Sequence, residues 1–288
     1  MAHIPTEISA LIERGALVVV NTSGGKDSQA MYLVLRQFVP PEQLILVHAD
    51  LGAVEWAGAV GHILATSRGE RLITCQASRN LLRMVEDRGM FPSPQQRWCT
   101  SDLKRGPIER TIRGITRERQ ALGNPAWGLV INCMGMRAEE STGRKKLPVF
   151  KFSTRNSKAG REWYDWHPIH EMTEQEVFAT IAAAGQEPHP VYKLGMKRFS
   201  CAFCIMASEE DLKTAARLAT EHPELLNDPH LYRKYVMLER QTEQVMLMPT
   251  KKHGRRSLED VTGILTGPAP APVQLSFPSL LPDSAVPA

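Results

Sequence analysis

No apolar run in the chain approaches the roughly 20 residues that a membrane-spanning helix needs, so a helical membrane protein is not expected. The opening MAHIPTEISALIERG lacks the charged-then-apolar order of a secretory signal, and the expected location is cytoplasmic. There is no internal repeat, which sets repeat architectures aside. Cysteine is scarce, five in 288 residues, and in a cytosolic protein such thiols are free, metal-bound or catalytic more often than disulfide-paired. Neither sign of charge dominates, since the formal net charge is only +4. The bases are nevertheless uneven: Arg97, Lys104, Arg105, Arg110, Arg113, Arg117 and Arg119 crowd one segment, and Arg137, Arg144, Lys145, Lys146, Lys151, Arg155, Lys158 and Arg161 another. Both point to a polyanionic ligand, although a solvated face is the plain alternative.

What is present is an alternation. Residues 16–21, 44–49, 71–75 and 128–133 are short runs rich in Val, Ile and Leu, separated by segments that read as helices. That pattern predicts an α/β fold, a Rossmann-like parallel sheet with helices on both faces. Residues 101–120 read as a helix with one apolar face (Leu103, Pro107, Ile108, Ile112, Ile115) and one basic face, kinked or starting late at Gly106-Pro107. After Gly135 a polar stretch predicts a loop with a short hairpin. TEQEVFATIAAAG reads as a helix capped by Thr173 with Glu176 three residues on, and residues 207–247 as two or three further helices. The expected organisation is a nucleotide-binding domain over 1–206, a helical part over 207–263 and a proline-rich tail over 264–288.

The stretch LVVVNTSGGKDSQAMYLVL is a strand that breaks on small residues and enters a helix. Such a junction offers unpaired N–H groups and a helix N-terminus to an anion. Gly24 and Gly25 let the main chain approach, Lys26 adds charge, and Ser23 and Ser28 add hydroxyls. The spacing is not that of the Gly-x4-Gly-Lys-Ser/Thr loop. It resembles instead the SGGxDS signature of the PP-loop ATP pyrophosphatases, which split ATP between its α and β phosphates. In HADLG, Asp50 follows a strand and stands where a ribose hydroxyl could be bound, or where a following helix could be capped. GMRAEESTGR (135–144) resembles the GxRxxES…R motif of the phosphoadenosine phosphosulfate (PAPS) reductase family, and WHPIHEMTEQEV and HPVYKLGMKRFSCAFC resemble its following segments. The resemblance spans about residues 16–206 in the family's order. It implies an adenine nucleotide α-hydrolase-like fold, ATP bound by Ser23, Gly24, Gly25, Lys26, Asp27, Ser28, Asp50, Gly135, Arg137 and Arg144, and catalytic roles for Lys26, Asp27 and Arg137, with Asp27 helping to place Mg2+.

Cys201 and Cys204 form a C-x2-C pair, which by itself suits zinc, iron–sulfur or redox chemistry. The resemblance adds Cys99, in QQRWCTSDLK, and implies a 4Fe-4S cluster on Cys99, Cys201 and Cys204; zinc on the same thiols is the rival. The chain has Trp98-Cys99 where cluster-bearing reductases have Cys-Cys, so the fourth ligand is open among Cys133, Cys75, a histidine and an exogenous group. Cys133 and Cys75 lie in or at the end of apolar strands and read as core thiols. The family's reductases carry a further nucleophilic cysteine, and no cysteine follows Cys204 here. The expected function is therefore ATP-driven sulfur transfer, nearest to the DNA phosphorothioation ATPases, with nucleic acid as acceptor, a cysteine desulfurase as donor, no membrane partner, and a homo-oligomeric or multi-subunit assembly. The alternatives are an adenosine phosphosulfate or PAPS reductase, an ATP sulfurylase small subunit, and a non-catalytic nucleotide-binding subunit. His167 and His170 read as packed, hydrogen-bonded histidines, and Met134, Met136, Met206 and Met246 to Met248 as apolar filling.

Overall fold

The computed structural model describes residues 4–123, 125–249 and 251–267. Most of the proline-rich stretch, 268–288, lies outside the described residues. In chain order the elements are α1 (Thr6–Glu13), β1 (Leu17–Thr22), α2 (Lys26–Leu35), β2 (Leu44–Ala49), α3 (Ala59–Thr66), β3 (Leu72–Cys75), α4 (Leu81–Arg88), α5 (Trp98–Thr100), α6 (Gly106–Ala121), β4 (Leu129–Met134), α7 (Thr142–Lys145), β5 (Phe150–Phe152), β6 (Glu162–Trp166), α8 (Glu174–Ala183), α9 (Glu209–Glu221), α10 (Leu231–Thr242) and α11 (Leu258–Thr262). No helix among them is long and apolar enough to cross a membrane.

β-branched runs fit a pleated sheet buried on both faces, and β1, β2 and β4 are such runs. They lie in one six-stranded sheet of order β3-β2-β1-β4-β6-β5, parallel except for the edge strand β5. Successive side chains alternate between faces. Val18, Val20, Leu46 and Ile131 pack with α1, α2 and α8 on one side, while Val19, Ile45, Val47 and Val130 pack with Ile112 and Ile115 of α6 on the other. The strand order reverses between β1 and β4, which places a ligand crevice outside their carboxyl ends. Asn21 stitches this point: its Nδ2 donates to Asn132 Oδ1 and to the Cys133 carbonyl, both at 2.7 Å.

The four predicted strands stand within a residue of their expected bounds. The hairpin after Gly135 exists as β5 and β6, but β6 is also a core strand, parallel to β4, with Trp163 fully buried. Its polar alternation, EWYDW, concealed that, because Asp165 is taken up by Asn132 Nδ2 at 2.8 Å and Trp163 Nε1 at 3.0 Å. The capping box of α8 forms as read, with the Thr173 side chain accepting from the Glu176 N–H.

Before α6 the chain makes one π turn, Ser101–Arg105, in which Gly106 N–H donates to the Ser101 carbonyl. Pro107 has no N–H to continue an α ladder at this point, and a Cβ on Gly106 would lie 2.9 Å from Ser101 O. The expected kink is thus a π turn, an element that recurs at functional sites. A third core joins α4, α9, α10 and α11 with Trp56, Phe91, Val191 and Phe203; Cys99 and Cys201 pack against its margin. Met246 fills it, but Met206 and Met248 are 39% and 52% exposed, so those two are not apolar filling.

Candidate nucleotide and thiol site

The loop Ser23–Gly25 leaves β1 and enters α2 with its donors loosely satisfied. Ser23 N–H donates to Ser28 Oγ at 3.2 Å, and the N–H groups of Gly24 and Gly25 reach Thr22 Oγ1 and Ser23 Oγ at 3.4 Å. These long bonds hold the loop open in shape and exchange readily for phosphate oxygens. Gly24 has φ +79°, a left-handed conformation natural to glycine. Gly25 is required for a different reason: a Cβ there would lie 2.8 Å from Phe199 Cβ and 3.2 Å from Tyr192 Oη. Gly25→Ala is expected to cost about 1–3 kcal/mol through overpacking and to weaken ATP binding, read by urea unfolding and calorimetric titration; an unchanged midpoint and affinity would refute the close-approach argument.

Gly135, after β4, backs onto the same helix end. Its missing Cβ would stand 3.2 Å from the Asp27 carbonyl, so the two loops at the strand-order reversal touch through bare backbone. Arg137, 3% exposed, sends Nε to Asp27 Oδ1 at 2.7 Å and an Nη to Glu139 at 2.6 Å. Glu140 gathers the rest of the motif: it accepts from the Arg137 N–H, pairs with Arg144, and stands 3.9 Å from Arg198. Ser141 Oγ caps α7 by accepting from Arg144 N–H at 3.1 Å. Burial and the nearby charge of Arg198 push the Arg144 guanidinium down, with Arg97 and Arg137 acting in the same direction and Asp27 opposing. Glu140 offsets part of the repulsion between Arg144 and Arg198, and a cluster that keeps more guanidinia than carboxylates suits an anion.

Other predicted residues are already engaged. Lys26 is 3% exposed; its ammonium stands 3.2 Å from Glu174, 3.4 Å from Asp27 and 3.3 Å from the Lys197 carbonyl, over the rings of Phe178 and Tyr192. Asp27 has one oxygen on Arg137 and the other facing Lys26. Each carboxylate oxygen of Asp27 thus faces one cation and keeps a second lone pair with which it could take a metal ion. Asp50 accepts from Gly52 N–H at 2.7 Å and from Gln76 Nε2, and it is not the cap of the 3-10 turn Gly52–Val54, which follows Leu51 with no side-chain cap.

The thiols are spread over three environments. Cys133 is fully buried in β4, its thiol pushed well up by burial and by Asp165. Cys75 ends β3 beside Thr111, Arg110 and Asp50. Cys99, Cys201 and Cys204 are electrostatic neighbours. Burial raises the Cys201 thiol to about 12, Lys104 opposes this, and Cys204 and Cys99 add to it. Lys104 is held up by all three sulfurs and Glu55, against burial. Cys204 Sγ accepts the Met206 N–H at 3.5 Å. The sulfur donors and the N–H···S bond have the chemistry of a thiolate-bound cluster. Among the described residues, however, no group of three or more His, Cys, Asp or Glu side chains closes to metal-holding distance.

Sequence reasoning missed Tyr192, whose hydroxyl accepts the Lys26 N–H at 3.1 Å, and the buried pair His48–Glu55 at 3.3 Å. The aromatic spacing of VYKLGMKRF was the available signal for the first; nothing local marked the second.

These features define a Rossmann-like α/β protein of the adenine nucleotide α-hydrolase-like fold, with a phosphate loop at its strand-order reversal. The profile of the phosphoadenosine phosphosulfate reductase domain matches residues 17–207, and the chain belongs to that family. It is 30% identical over 125 residues to an uncharacterized 37.8 kDa protein in the gpa 5′ region of Escherichia phage 186; the match covers 43% of this chain and about a third, 34%, of that relative. Among solved structures it is similar to the PAPS reductase of Candida auris in its phosphate complex (12% identity, TM-score 0.43, 69% of this chain and 96% of that one). It is also similar to the U34-tRNA thiolase NcsA of Methanococcus maripaludis with its 4Fe-4S cluster (16% identity, TM-score 0.35, 82% and 78%).

Proposed function

We propose that this protein is an ATP pyrophosphatase that activates a substrate oxygen for replacement by sulfur, with DNA as the acceptor. The observation that carries the reading is the meeting of an intact Ser23–Ser28 loop with the guanidinia of Arg97, Arg144 and Arg198, beside three interacting thiols. The acceptor oxygen attacks the α phosphorus of ATP, the bond to the β-phosphate oxygen breaks, and pyrophosphate leaves. A sulfide then displaces AMP from the adenylated position. The N–H groups of Ser23, Gly24 and Gly25 bind the departing pyrophosphate, and Arg144, flanked by Arg97 and Arg198, neutralises its charge. Arg137 fixes the first turn of α2 through Asp27, and Lys26 draws Glu174 and Lys197 toward that turn. Cys99, Cys201 and Cys204 would hold a 4Fe-4S cluster, which when bound supplies an iron that can carry sulfide. A cysteine desulfurase supplies that sulfur in a multi-subunit assembly, and residues 1–206 form the nucleotide-binding unit with 207–263 as a helical companion.

The test is anaerobic purification with iron and acid-labile sulfide quantified, followed by incubation with ATP and DNA. About four iron and four sulfide per chain are expected, with AMP and pyrophosphate released when DNA is added, and iron lost from Cys99→Ser, Cys201→Ser and Cys204→Ser. Zinc or no metal would overturn the cluster. A nucleotide bound but uncleaved would favour the reductase or the binding-only alternative.

A further inference from the structure

The basic face of α6 is unused by the site described above, and it is more than a run of charge. Ile112 and Ile115 are buried against the sheet, which turns Arg110, Arg113, Gly114 and Arg117 outward on the opposite side. At 1.5 Å per residue, Arg110 to Arg117 spans roughly 10 Å along the helix. Arg110 lies beside Cys75 at the carboxyl edge of the sheet, so the stripe begins near the nucleotide crevice and runs away from it.

Two features mark a built surface. Asn156, 3% exposed in the turn between β5 and β6, holds two guanidinia: its Oδ1 accepts from Arg113 at 3.1 Å and its carbonyl from Arg161 Nε at 3.3 Å. Glu109, the nearby buried carboxylate, is saturated by Arg155 and Arg113, and among the described residues neither Arg117 nor Arg161 has a carboxylate within 4 Å. Burial and the proximity of Arg113 and Arg117 push the Arg161 guanidinium down. The second feature is Gly114. A glycine in mid-helix costs about 1 kcal/mol relative to alanine, yet a Cβ here would meet nothing within 4 Å. Internal packing does not ask for it. A bare stretch of helix between arginines admits a ligand close to the backbone.

We infer that Arg110, Arg113, Arg117 and Arg161, with Gly114 between them, form a clamp for the phosphodiester backbone of duplex DNA. Charge complementarity selects a polyanion, and α6 presents no aromatic side chain on which single-stranded bases could stack. Laid along the duplex axis, a stripe of roughly 10 Å covers about three base-pair steps of 3.4 Å. The inference rests on the DNA-acceptor reading and deepens it by naming the docking surface.

The test is fluorescence anisotropy of a labelled 20-base-pair duplex (~20 bp, enough for several phosphate contacts) as a function of KCl, with a folded RNA as a second probe. Each arginine that meets a phosphate contributes about 0.9 to the slope of log K against log salt. The double variant Arg117→Ala/Arg161→Ala is expected to flatten that slope by nearly 2 units, roughly 1.8, and to weaken binding more than tenfold. Gly114→Gln is expected to weaken binding while raising the unfolding temperature slightly, since glutamine favours the helix. Wild-type binding with an unchanged slope in the variants would overturn the clamp and leave the DNA reading standing. Failure of the wild type to bind duplex, or binding of the folded RNA alone, would overturn the DNA reading itself.

Discussion

Arg137→Ala is expected to destabilise the fold by about 2–3 kcal/mol and to reduce ATP affinity at least tenfold. The guanidinium is buried and bridges Asp27 at 2.7 Å to Glu139 at 2.6 Å. Its removal leaves the Asp27 carboxylate beside the phosphate loop with only Lys26 near it. Breaking a fully buried pair costs about 3–5 kcal/mol; the lower figure applies because Asp27 and Glu139 keep part of their hydration, at 22% and 53% side-chain exposure. Arg137→Lys should recover the charge but not the two-pronged geometry, and so restore only part of each loss. Urea unfolding of Arg137→Ala, Asp27→Asn and the double variant separates the pair's coupling from generic loss of packing. A double variant no better than the sum of the singles would show that the two residues do not act together, and the account of α2 positioning would fail with it.

Acid is expected to weaken the fold through His189. This side chain is 2% exposed; its Nε2 donates to the Ala57 carbonyl at 3.2 Å and its Nδ1 accepts the Val191 N–H at 3.4 Å, which fixes the neutral tautomer. Burial, with His62 edge-on at 5.3 Å, lowers its pKa to about 4. An unfolded histidine titrates near 6.5, so between those values the unfolded chain binds the proton and the native one does not. Stability therefore falls as pH drops from about 6.5 to about 4, by roughly 3 kcal/mol in all. His62, also lowered by burial, acts in the same direction. His48 and His170 are raised, by Glu55 and by the Arg144 carbonyl with Glu171, against burial. Their contribution is complete below 6.5 and disappears as pH rises through their native values. His189→Gln can keep both hydrogen bonds without a titrating group. Its stability should decline less steeply than that of the wild type between pH 6.5 and 4; parallel declines would exclude His189 as the source.

Much of this architecture was legible in the chain because its signals are local. The strands β1, β2 and β4 are continuous apolar runs, the loop Ser23–Ser28 sits at a strand-to-helix junction, and Thr173 with Glu176 spell out a capping box. β6 was hidden because burying Asp165 depends on Asn132 and Trp163, partners that no window around EWYDW contains. The same limit applied to the site. Gly135, Arg137 and Arg144 were marked by their motif, but the ion pairs that occupy Lys26 and Asp27, and the convergence of Arg97 and Arg198 on Arg144, come from segments far apart in sequence. The Asp50 bond to Gln76 likewise joins residues 26 positions apart, beyond the reach of any local window.

The third core, which unites α4 with α9, α10 and α11 and carries Cys99 and Cys201 at its margin, also orders events in time. Cys99 and Cys201 are 102 positions apart, 201 minus 99. At a synthesis rate of about 5–20 residues per second, Cys99 leaves the ribosome roughly 5–20 seconds before its partners exist. The sheet's central strands are complete by then, while Phe203 and the helices that enclose it are still to come. During biogenesis the chain thus passes through a stage in which Cys99 is present while Cys201 and Cys204 are not, and in which Glu174, Tyr192 and Lys197, which hold the first turn of α2, have also yet to be made. If the three thiols hold a cluster as proposed, its loading has to wait until Cys204 has been translated.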